Sequence, residues 1–244
     1  LGVYSLFVDQ NNHLWIGGKD NKIYRYNASD WTNWTIPGKE KPATFAISEQ
    51  DTLFVGFSGS YNSGGLFRYD NGNWIEYDAL YSISKSSISD IEFDNGSTVW
   101  VGQPLTYVRA ASDVVFRIPG TLLRFDGTSF FREDPTSITV NGVVEIDRNN
   151  NLWTGDHDKL FKFDGVNWET YTVEDTALPD GSINDIAVDK SNTKWIATEG
   201  GGLVTYEDKY EPYLNLLYPN GGEKWDFTHT YRIVWESQNV VLIT

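Results

Sequence analysis

The sequence contains no cysteine and no methionine. Without cysteine the chain has no disulfide framework and no zinc or iron–sulfur site with cysteine ligands. Without methionine it has no initiator residue, which indicates a processed chain or a piece of a longer one. No run approaches the about 20 apolar residues of a membrane helix, and no segment resembles a signal peptide. We therefore expect no membrane insertion in this segment.

Positive charge is also scarce. The 244 residues include 19 Lys and Arg against 34 Asp and Glu, which gives a net charge of −15. Nucleic-acid binding needs clustered Lys and Arg to neutralise phosphates, so we expect no nucleic-acid partner. Aromatic residues, in contrast, are abundant, with 10 Trp, 14 Tyr and 13 Phe beside 22 Gly. Together with the small number of helix-like runs, this composition favours an all-β protein.

A motif that recurs five times organises most of the chain. Each copy has an aromatic anchor in a short apolar run, and an Asp or a Ser stands six residues before it. The anchors are Trp15, Phe54, Trp100, Trp153 and Trp195, and the residues before them are Asp9, Ser48, Asp94, Asp147 and Asp189. An alternating segment precedes each motif, an apolar–aromatic segment follows it, and Asp-Gly-like turns come next. Each unit is therefore predicted to form four short strands, with the anchors in the core and the Asp residues capping turns.

The length of the repeat indicates the architecture. Four strands in roughly 40–50 residues is the period of a β-propeller blade. A sandwich with regular turns does not predict the same offset of six in five places. We predict an all-β β-propeller with about five visible four-stranded blades. The units are about 1–41, 42–87, 88–140, 141–182 and 183–211, and both a five-bladed ring and a ring with further blades stay open.

The repeats resemble the propeller repeats of two-component regulator sensors over about residues 1–208. The segment Ile183–Tyr206 matches best and contains Asp189, Trp195, Gly201, Gly202 and Leu203. The second unit departs most, since it has Ser48 and Phe54 at the Asp and Trp positions. The resemblance implies a bacterial-type extracytoplasmic location (periplasmic, cell-surface or secreted) and a sensor or recognition role.

The pattern changes near residue 212. Residues 212–244 contain Pro-Asn-Gly-Gly-Glu-Lys-Trp225 and then Tyr231-Arg-Ile-Val-Trp235. This segment resembles the opening of an Ig-like module of multidomain extracellular proteins, and other domains of the same chain are therefore expected partners. About three strands are present, against seven in a complete sandwich. The division predicted is a propeller at 1–211 and an incomplete Ig-like domain at 212–244. Alternatively, Tyr213–Tyr218 is the outer strand of the fifth unit.

Loop lengths predict where a ligand would bind. In a four-stranded meander, the loops after the second strand and the connections between units lie at the same end of the blades. Two neighbouring units have long loops there, Ser58–Gly65 and Gln103–Gly120, and the connection Tyr81–Ser87 lies between them. Binding residues concentrate on such loops of a rigid scaffold. Alternatively, Gln103–Gly120 is a surface hairpin that packs on its own blade.

The candidate ligand-binding residues at this end combine aromatic rings with hydrogen-bond donors. They are Tyr61, Asn62, Tyr81, Tyr107, Arg109, Phe116, Arg117 and His157. Aromatic rings stack on sugars or peptides, and Arg offers forked donors. The resemblance to the sensor propellers implies a glycan or another surface polymer as the partner.

The sequence predicts no catalytic residue, no cofactor and no metal site. The turn Asp147–Asn151 is similar to part of a calcium loop, but it lacks the Gly and the Glu that such a loop needs. His157 lies between Asp156 and Asp158 and could act as a base or a ligand. A polysaccharide lyase or hydrolase would require this group to face Arg109 or Arg117. The patterns favour a non-catalytic binding or sensor domain over that enzyme and over a purely structural or adhesive repeat.

Overall fold

The computed structural model of the chain describes residues 2–48, 50–59, 63–70, 72–77, 86–109, 115–133, 140–172, 178, 181–208, 213–218 and 234–238. For residues 108–109, 115–118, 213–218 and 234–238 it describes the backbone alone. All regular elements within these ranges are β-strands. The chain divides into two compact units, Leu1–Tyr206 and Glu207–Thr244.

Each repeat of the first unit forms one antiparallel sheet, called a blade here, whose strands are hydrogen-bonded in chain order. Blade 1 consists of β1 (Val3–Val8), β2 (Leu14–Gly18), β3 (Lys22–Tyr26) and β4 (Trp31–Thr35). Blade 2 consists of β5 (Pro42–Ile47), β6 (Leu53–Phe57), β7 (Gly65–Asp70) and β8 (Asn73–Tyr77). Blade 3 consists of β9 (Asp90–Phe93), β10 (Val99–Gln103), β13 (Thr121–Phe125) and β14 (Phe130–Arg132), and its insertion forms the separate hairpin of β11 (Thr106–Arg109) and β12 (Val115–Ile118). Blade 4 consists of β15 (Glu145–Ile146), β16 (Leu152–Gly155), β17 (Lys159–Phe163) and β18 (Trp168–Thr172), and blade 5 of β19 (Ile183–Val188), β20 (Lys194–Thr198) and β21 (Gly202–Tyr206). The predicted all-β fold of propeller blades is confirmed.

The six-residue offset between Asp and Trp has a direct cause in the first turn of each blade. In blade 4, Asp147 Oδ1 accepts hydrogen bonds from the backbone N–H groups of Asn149 and Asn151 at 2.9 and 2.8 Å. Its Oδ2 accepts one from the indole N–H of Trp153 at 2.9 Å. The indole–carboxylate bond recurs in blades 1, 3 and 5 at 2.9, 3.3 and 3.0 Å. One carboxylate thus closes the turn and orients the anchor ring.

Neighbouring blades share apolar cores in which the anchor of one blade packs on the next. Trp15 lies in a cluster with Phe45 and Val55 of blade 2. Trp100 lies in a cluster with Val144 and Leu152 of blade 4. From blade 2 onward, the side chains beside the anchor point to the opposite face of the sheet and lie toward the preceding blade, because side chains alternate along a strand. Val55 of blade 2, for example, lies in the cluster of Trp15. Burial of these faces against each other is the main stabilising interaction of the stack.

The first strands of the blades lie innermost and approach each other closely. In chain order, each first strand contacts the first strand of the next blade. Gly102 near the end of β10 shows how close blades 3 and 4 come, since a Cβ atom there would clash with the carbonyl oxygen of Gly142. A hydrogen bond from Ser89 Oγ to the same carbonyl, at 2.7 Å, joins these two blades.

A buried ion pair joins blade 5 to blade 4. Lys194 Nζ lies 3.1 Å from Asp147 Oδ2, and both side chains are 0% exposed. The ammonium group also lies 4.7 Å from the centroid of the Trp153 ring. Blade 4 has Leu152 at the corresponding place on its second strand. Lys194 therefore takes an apolar core position and satisfies its charge with the turn carboxylate.

The outer faces of blades 1 and 5 are exposed. Leu6 is 64% exposed, whereas Phe45 and Ile91, which occupy the same register position in blades 2 and 3, are 7% and 1% exposed. Trp195 is 40% exposed, whereas Trp153 is fully buried. Within the ranges described above, no further blade packs on the outer face of blade 1 or on the outer face of blade 5. The exposed side chains are of the same kind as those that form the cores between blades.

The second unit contains β22 (Tyr213–Tyr218) and β23 (Val234–Gln238), which pair antiparallel with each other. The Ig-like character of residues 212–244 stays a prediction.

Candidate functional site

The first strands of blades 2 and 5, the start of the first strand of blade 3 and the segment that leads into β15 of blade 4 line a polar cavity of 240 Å³, called the axial pocket here. It lies at the end of the blades where the first strands begin and the second strands end. This is the end at which the loop lengths predict a ligand site. The residues that line it are Ala43, Thr44, Ser89, Asp90, Asn141, Gly142, Val143, Asn184 and Asp185.

Hydrogen bonds between blades hold the wall of the axial pocket in place. Asp90 Oδ2 accepts a hydrogen bond from the backbone N–H of Val144 in the next blade at 2.9 Å. Across the pocket, Asn184 and Asp185 are exposed, and Asp185 Oδ1 accepts a bond from the N–H of Ile186 at 3.0 Å. The wall thus combines a carboxyl group fixed by an inter-blade bond with polar side chains that solvent can reach.

Three carboxyl groups on the inner strands have raised pKa values. Burial raises the pKa of Asp90 to about 7, and the Asp185 carboxylate adds to the rise. Burial and neighbouring carboxylates likewise raise the pKa of Glu145 to about 7 and that of Glu92 to about 8. A protonated carboxyl donates one hydrogen bond and still accepts others. Near neutral pH, Asp90 can therefore present both a donor and an acceptor beside the pocket.

A second cavity of 270 Å³ shares Asn141, Val143 and Asn184 with the axial pocket. Its wall also includes Pro104 and Leu105, which lead directly into β11. Polar groups on the inner strands and the base of the inserted hairpin therefore line one continuous surface.

Of the predicted binding residues on the long loops and the connection, the structure describes the side chain of Tyr107 but not the side chains of the others. The Tyr107 side chain is 65% exposed on the hairpin, two residues beyond Leu105 in the wall of the second cavity. Tyr107 pairs with Arg117, and Arg109 and Phe116 lie on the same two strands. The side chains of Arg109, Phe116 and Arg117 lie outside the described part of the chain, as do the whole residues Tyr61, Asn62 and Tyr81.

His157 lies in the turn between β16 and β17, at the same end of the blades, and is exposed. The preceding residue, Asp156, accepts a hydrogen bond through its backbone carbonyl from the N–H of Ile183 at 3.2 Å. Because Ile183 lines the second cavity, this turn lies next to that cavity.

Neither a metal centre nor a membrane-spanning helix is found among the described residues. No group of three or more His, Cys, Asp or Glu side chains in that part of the chain could hold a metal ion. No helix there has the length and apolar character that crossing a membrane requires.

Sequence reasoning missed the polar residues of the inner strands. A signal was present, because polar pairs follow an Ile at the start of two first strands, Ser89-Asp90 after Ile88 and Asn184-Asp185 after Ile183. In a half-buried strand such residues are ordinary solvent-facing positions. Only the convergence of four blades gives them a common cavity.

The antiparallel blades stacked on their inner strands define the first unit as a β-propeller-type fold. Comparisons with family models and with curated proteins gave no match. Among solved structures, the extracellular domain of the hybrid two-component system BT3049 from B. thetaiotaomicron is similar, with a TM-score of 0.63 and 12% identity over 91% of this chain and 32% of that chain. The extracellular domain of the one-component system BT4673 from the same organism has a TM-score of 0.62 and 17% identity over 88% of this chain and 28% of that chain.

A third similar structure is PorZ, a surface component of the type-IX secretion system of Porphyromonas gingivalis. Its TM-score is 0.61, with 16% identity over 83% of this chain and 32% of that chain. The chain thus spans about a third or less of the length of these solved chains. The predicted resemblance to the repeats of sensor propellers is confirmed at the level of the fold.

Proposed function

We propose that the chain is a non-catalytic binding propeller of a larger extracytoplasmic multidomain protein, and that it binds a glycan or another surface polymer at the axial pocket. The observation that carries the proposal is the set of hydroxyl, amide and carboxyl groups that four blades bring to one cavity through their first strands and the segments before them. Sugar hydroxyls need both donors and acceptors, which these groups supply. The extracellular domains and the surface component of similar fold support the location.

The charge of the chain narrows the class of glycan. The net charge is −15, and Asp90 and Asp185 lie in the wall of the pocket. Like charges in a binding site are unfavourable, so an uncharged or amine-bearing glycan suits the pocket better than a sulfated or uronic one. The exposed ring of Tyr107 offers a flat face on which a further sugar unit could stack.

Isothermal titration calorimetry with neutral, amine-bearing and anionic oligosaccharides tests the proposal. Asn184→Ala and Asp185→Asn should each weaken binding of the preferred glycan about tenfold, because each removes or alters one polar contact. Both side chains are exposed, so the thermal midpoint of unfolding without ligand should stay unchanged. The control is Asn33→Ala on the exposed part of the outer strand β4, which should bind like the unaltered chain.

Two outcomes would contradict the proposal. One is unchanged affinity in both pocket variants. The other is the absence of binding by any member of the panel, which would favour a structural or adhesive repeat. Chromatography of the oligosaccharides after incubation separates binding from the lyase or hydrolase alternative, because an enzyme would shorten them and a binding domain would not.

A further inference from the structure

Blade 2 lacks the carboxylate–indole pair of the other blades. It has Ser48 in place of the Asp and Phe54 in place of the Trp. Ser48 Oγ still accepts the turn hydrogen bond, from the N–H of Thr52 at 3.2 Å. Phe54 has a single ring and no N–H group, so it fills less space than an indole and needs no carboxylate partner. The loss of the carboxylate at Ser48 is therefore compatible with the loss of the indole N–H at Phe54. The smaller Phe54 ring leaves space at the contact between blades 2 and 3.

A cavity of 420 Å³ lies at this contact, at the end of the blades opposite the axial pocket. Phe54 forms part of one wall, and Phe93 and Phe125 of blade 3 form part of the other. The Phe54 and Phe93 rings meet edge to face, with centroids 5.5 Å apart. Ser48 and Ser97 add hydroxyl groups to the wall. The cavity is within the size range of small-molecule sites and combines flat apolar walls with a few polar groups.

Arg68 places a cation in the wall of this cavity. It pairs with Phe54 across the sheet, so both side chains point toward blade 3. In blade 1, the corresponding Arg25 guanidinium lies over the anchor ring of Trp15, 5.5 Å from its centroid. Arg68 instead has an ion pair with Asp70, from Nη2 to Oδ2 at 3.3 Å. Its Nε is buried and has no hydrogen-bond partner among the described residues.

The other charged side chains in the wall of this cavity, Asp126 and Arg124, are already engaged. Asp126 Oδ1 accepts hydrogen bonds from the backbone N–H groups of Thr128 and Ser129 at 2.8 and 2.9 Å. Glu133 accepts two hydrogen bonds from Arg124, at 3.0 and 2.8 Å. A buried donor without a partner costs free energy, and a carboxylate is its strongest complement. The Nε of Arg25 in blade 1 is likewise buried without a hydrogen-bond partner, but there the Trp15 ring lies beside the guanidinium. At Arg68 the cavity leaves room for an anionic group to accept this hydrogen bond.

We infer that the cavity between blades 2 and 3 is a second binding site, and that its ligand is a small planar aromatic carboxylate. The aromatic ring occupies the space that the indole of Trp15, Trp100 or Trp153 fills at the other blade contacts. The carboxylate accepts a hydrogen bond from Arg68 Nε, and the hydroxyl groups of Ser48 and Ser97 provide further contacts. This site is separate from the axial pocket and does not depend on the function proposed for that pocket.

Ligand-detected NMR and calorimetry with indole-3-acetate as the probe test the inference. The unaltered chain should bind indole-3-acetate, and neutral indole and glucuronate should each bind at least about tenfold more weakly, because each lacks one half of the recognition. Arg68→Gln should weaken indole-3-acetate binding by about tenfold or more. Arg25→Gln is the matched control, since it removes the corresponding arginine of blade 1 and should leave binding unchanged.

The double substitution Ser48→Asp with Phe54→Trp supplies the decisive variant. It restores the pair found in the other blades, so it should fill the cavity, abolish binding and maintain or raise the thermal midpoint of unfolding. If this variant does not fold, Phe54→Trp alone and Arg68→Gln give the same test. Binding retained in a folded, filled variant would overturn the inference, as would equal affinity for indole and indole-3-acetate. No binding of indole-3-acetate by the unaltered chain would overturn it as well.

Discussion

At the residue scale, the Asp carboxylate in the first turn of a blade binds both the backbone of the turn and the indole N–H of the anchor Trp, as Asp147 does in blade 4. Burial raises the pKa of Asp9 and of Asp147, but the hydrogen bonds from the indole and the turn together outweigh it, so both pKa values lie below the ordinary one. These carboxylates are therefore ionised at neutral pH. The offset of six residues identifies the pair in the sequence, whereas the bond itself depends on the register of the first two strands.

The buried pair of Asp147 and Lys194 gives a prediction at this scale. Asp147→Asn should lower the free energy of unfolding by about 3 kcal/mol, because it leaves the buried ammonium group without its carboxylate. Asp189→Asn is the control, since its indole partner Trp195 is 40% exposed, and it should lose less than about 1 kcal/mol. Urea unfolding at pH 7 measures both losses. Equal losses in the two variants would contradict the role assigned to Lys194.

At the scale of single elements, the inner strands combine polar bonding with a crowded set of acids. Asp90 and Glu145 each accept a hydrogen bond from a backbone N–H of the next blade, Val144 at 2.9 Å and Val188 at 2.9 Å. These bonds fix the spacing of the first strands around the axial pocket. Each carboxyl also raises the pKa of others nearby, so the proton count of this region depends on pH near neutrality.

A pH dependence of stability follows from these strands. Because the folded pKa values of Asp90, Glu92 and Glu145 are raised to about 7, 8 and 7, the folded state holds protons that the unfolded chain releases near pH 4. Their contribution to stability is therefore full below about pH 4 and is lost as pH rises through about 7 to 8. We expect the free energy of unfolding, measured with urea, to fall between about pH 5 and pH 9.

Glu92→Gln tests the source of that dependence. The amide cannot ionise, so the fall in unfolding free energy with rising pH should be smaller than in the unaltered chain. Asp126→Asn serves as the control, because backbone hydrogen bonds from its turn lower the pKa of Asp126 to about 2. Its contribution is lost only as pH falls through about 2, so the slope above pH 5 should not change. An unchanged slope in Glu92→Gln would show that other groups cause the dependence.

At the scale of the whole molecule, Leu6 of blade 1 and Ile91 of blade 3 occupy the same register position, but Leu6 lies on an exposed face and Ile91 lies in a core between blades. Leu6→Ser should change the free energy of unfolding by less than about 0.5 kcal/mol, since Leu6 is 64% exposed. Ile91→Ser should lower it by at least about 3 kcal/mol, because Ile91 is 1% exposed in the core between blades 2 and 3. Urea unfolding measures both. A large loss in Leu6→Ser would show that another surface covers this face in solution.

The sequence by itself determined the all-β class, the four-strand character of the repeats and the end of the blades at which loops are long. These features are local, since turn residues such as Asp147 and alternation around Trp153 act within one unit. Meander connectivity then places alternate loops at one end. Candidate residues on the long loops, such as Tyr107, could be named from the sequence. Loop length alone could not show whether their side chains meet at one site.

Only the tertiary structure decided which residues share a cavity. Asp90 and Asp185 belong to different blades, and they meet at the axial pocket because the first strands of the blades pack side by side. The place of Lys194 in the core is likewise visible only once blades 4 and 5 are stacked, since its partner Asp147 lies in the neighbouring blade. Contacts within a blade follow from sequence distance, whereas contacts between blades follow from the angle and spacing of the stacked sheets, which no single repeat encodes.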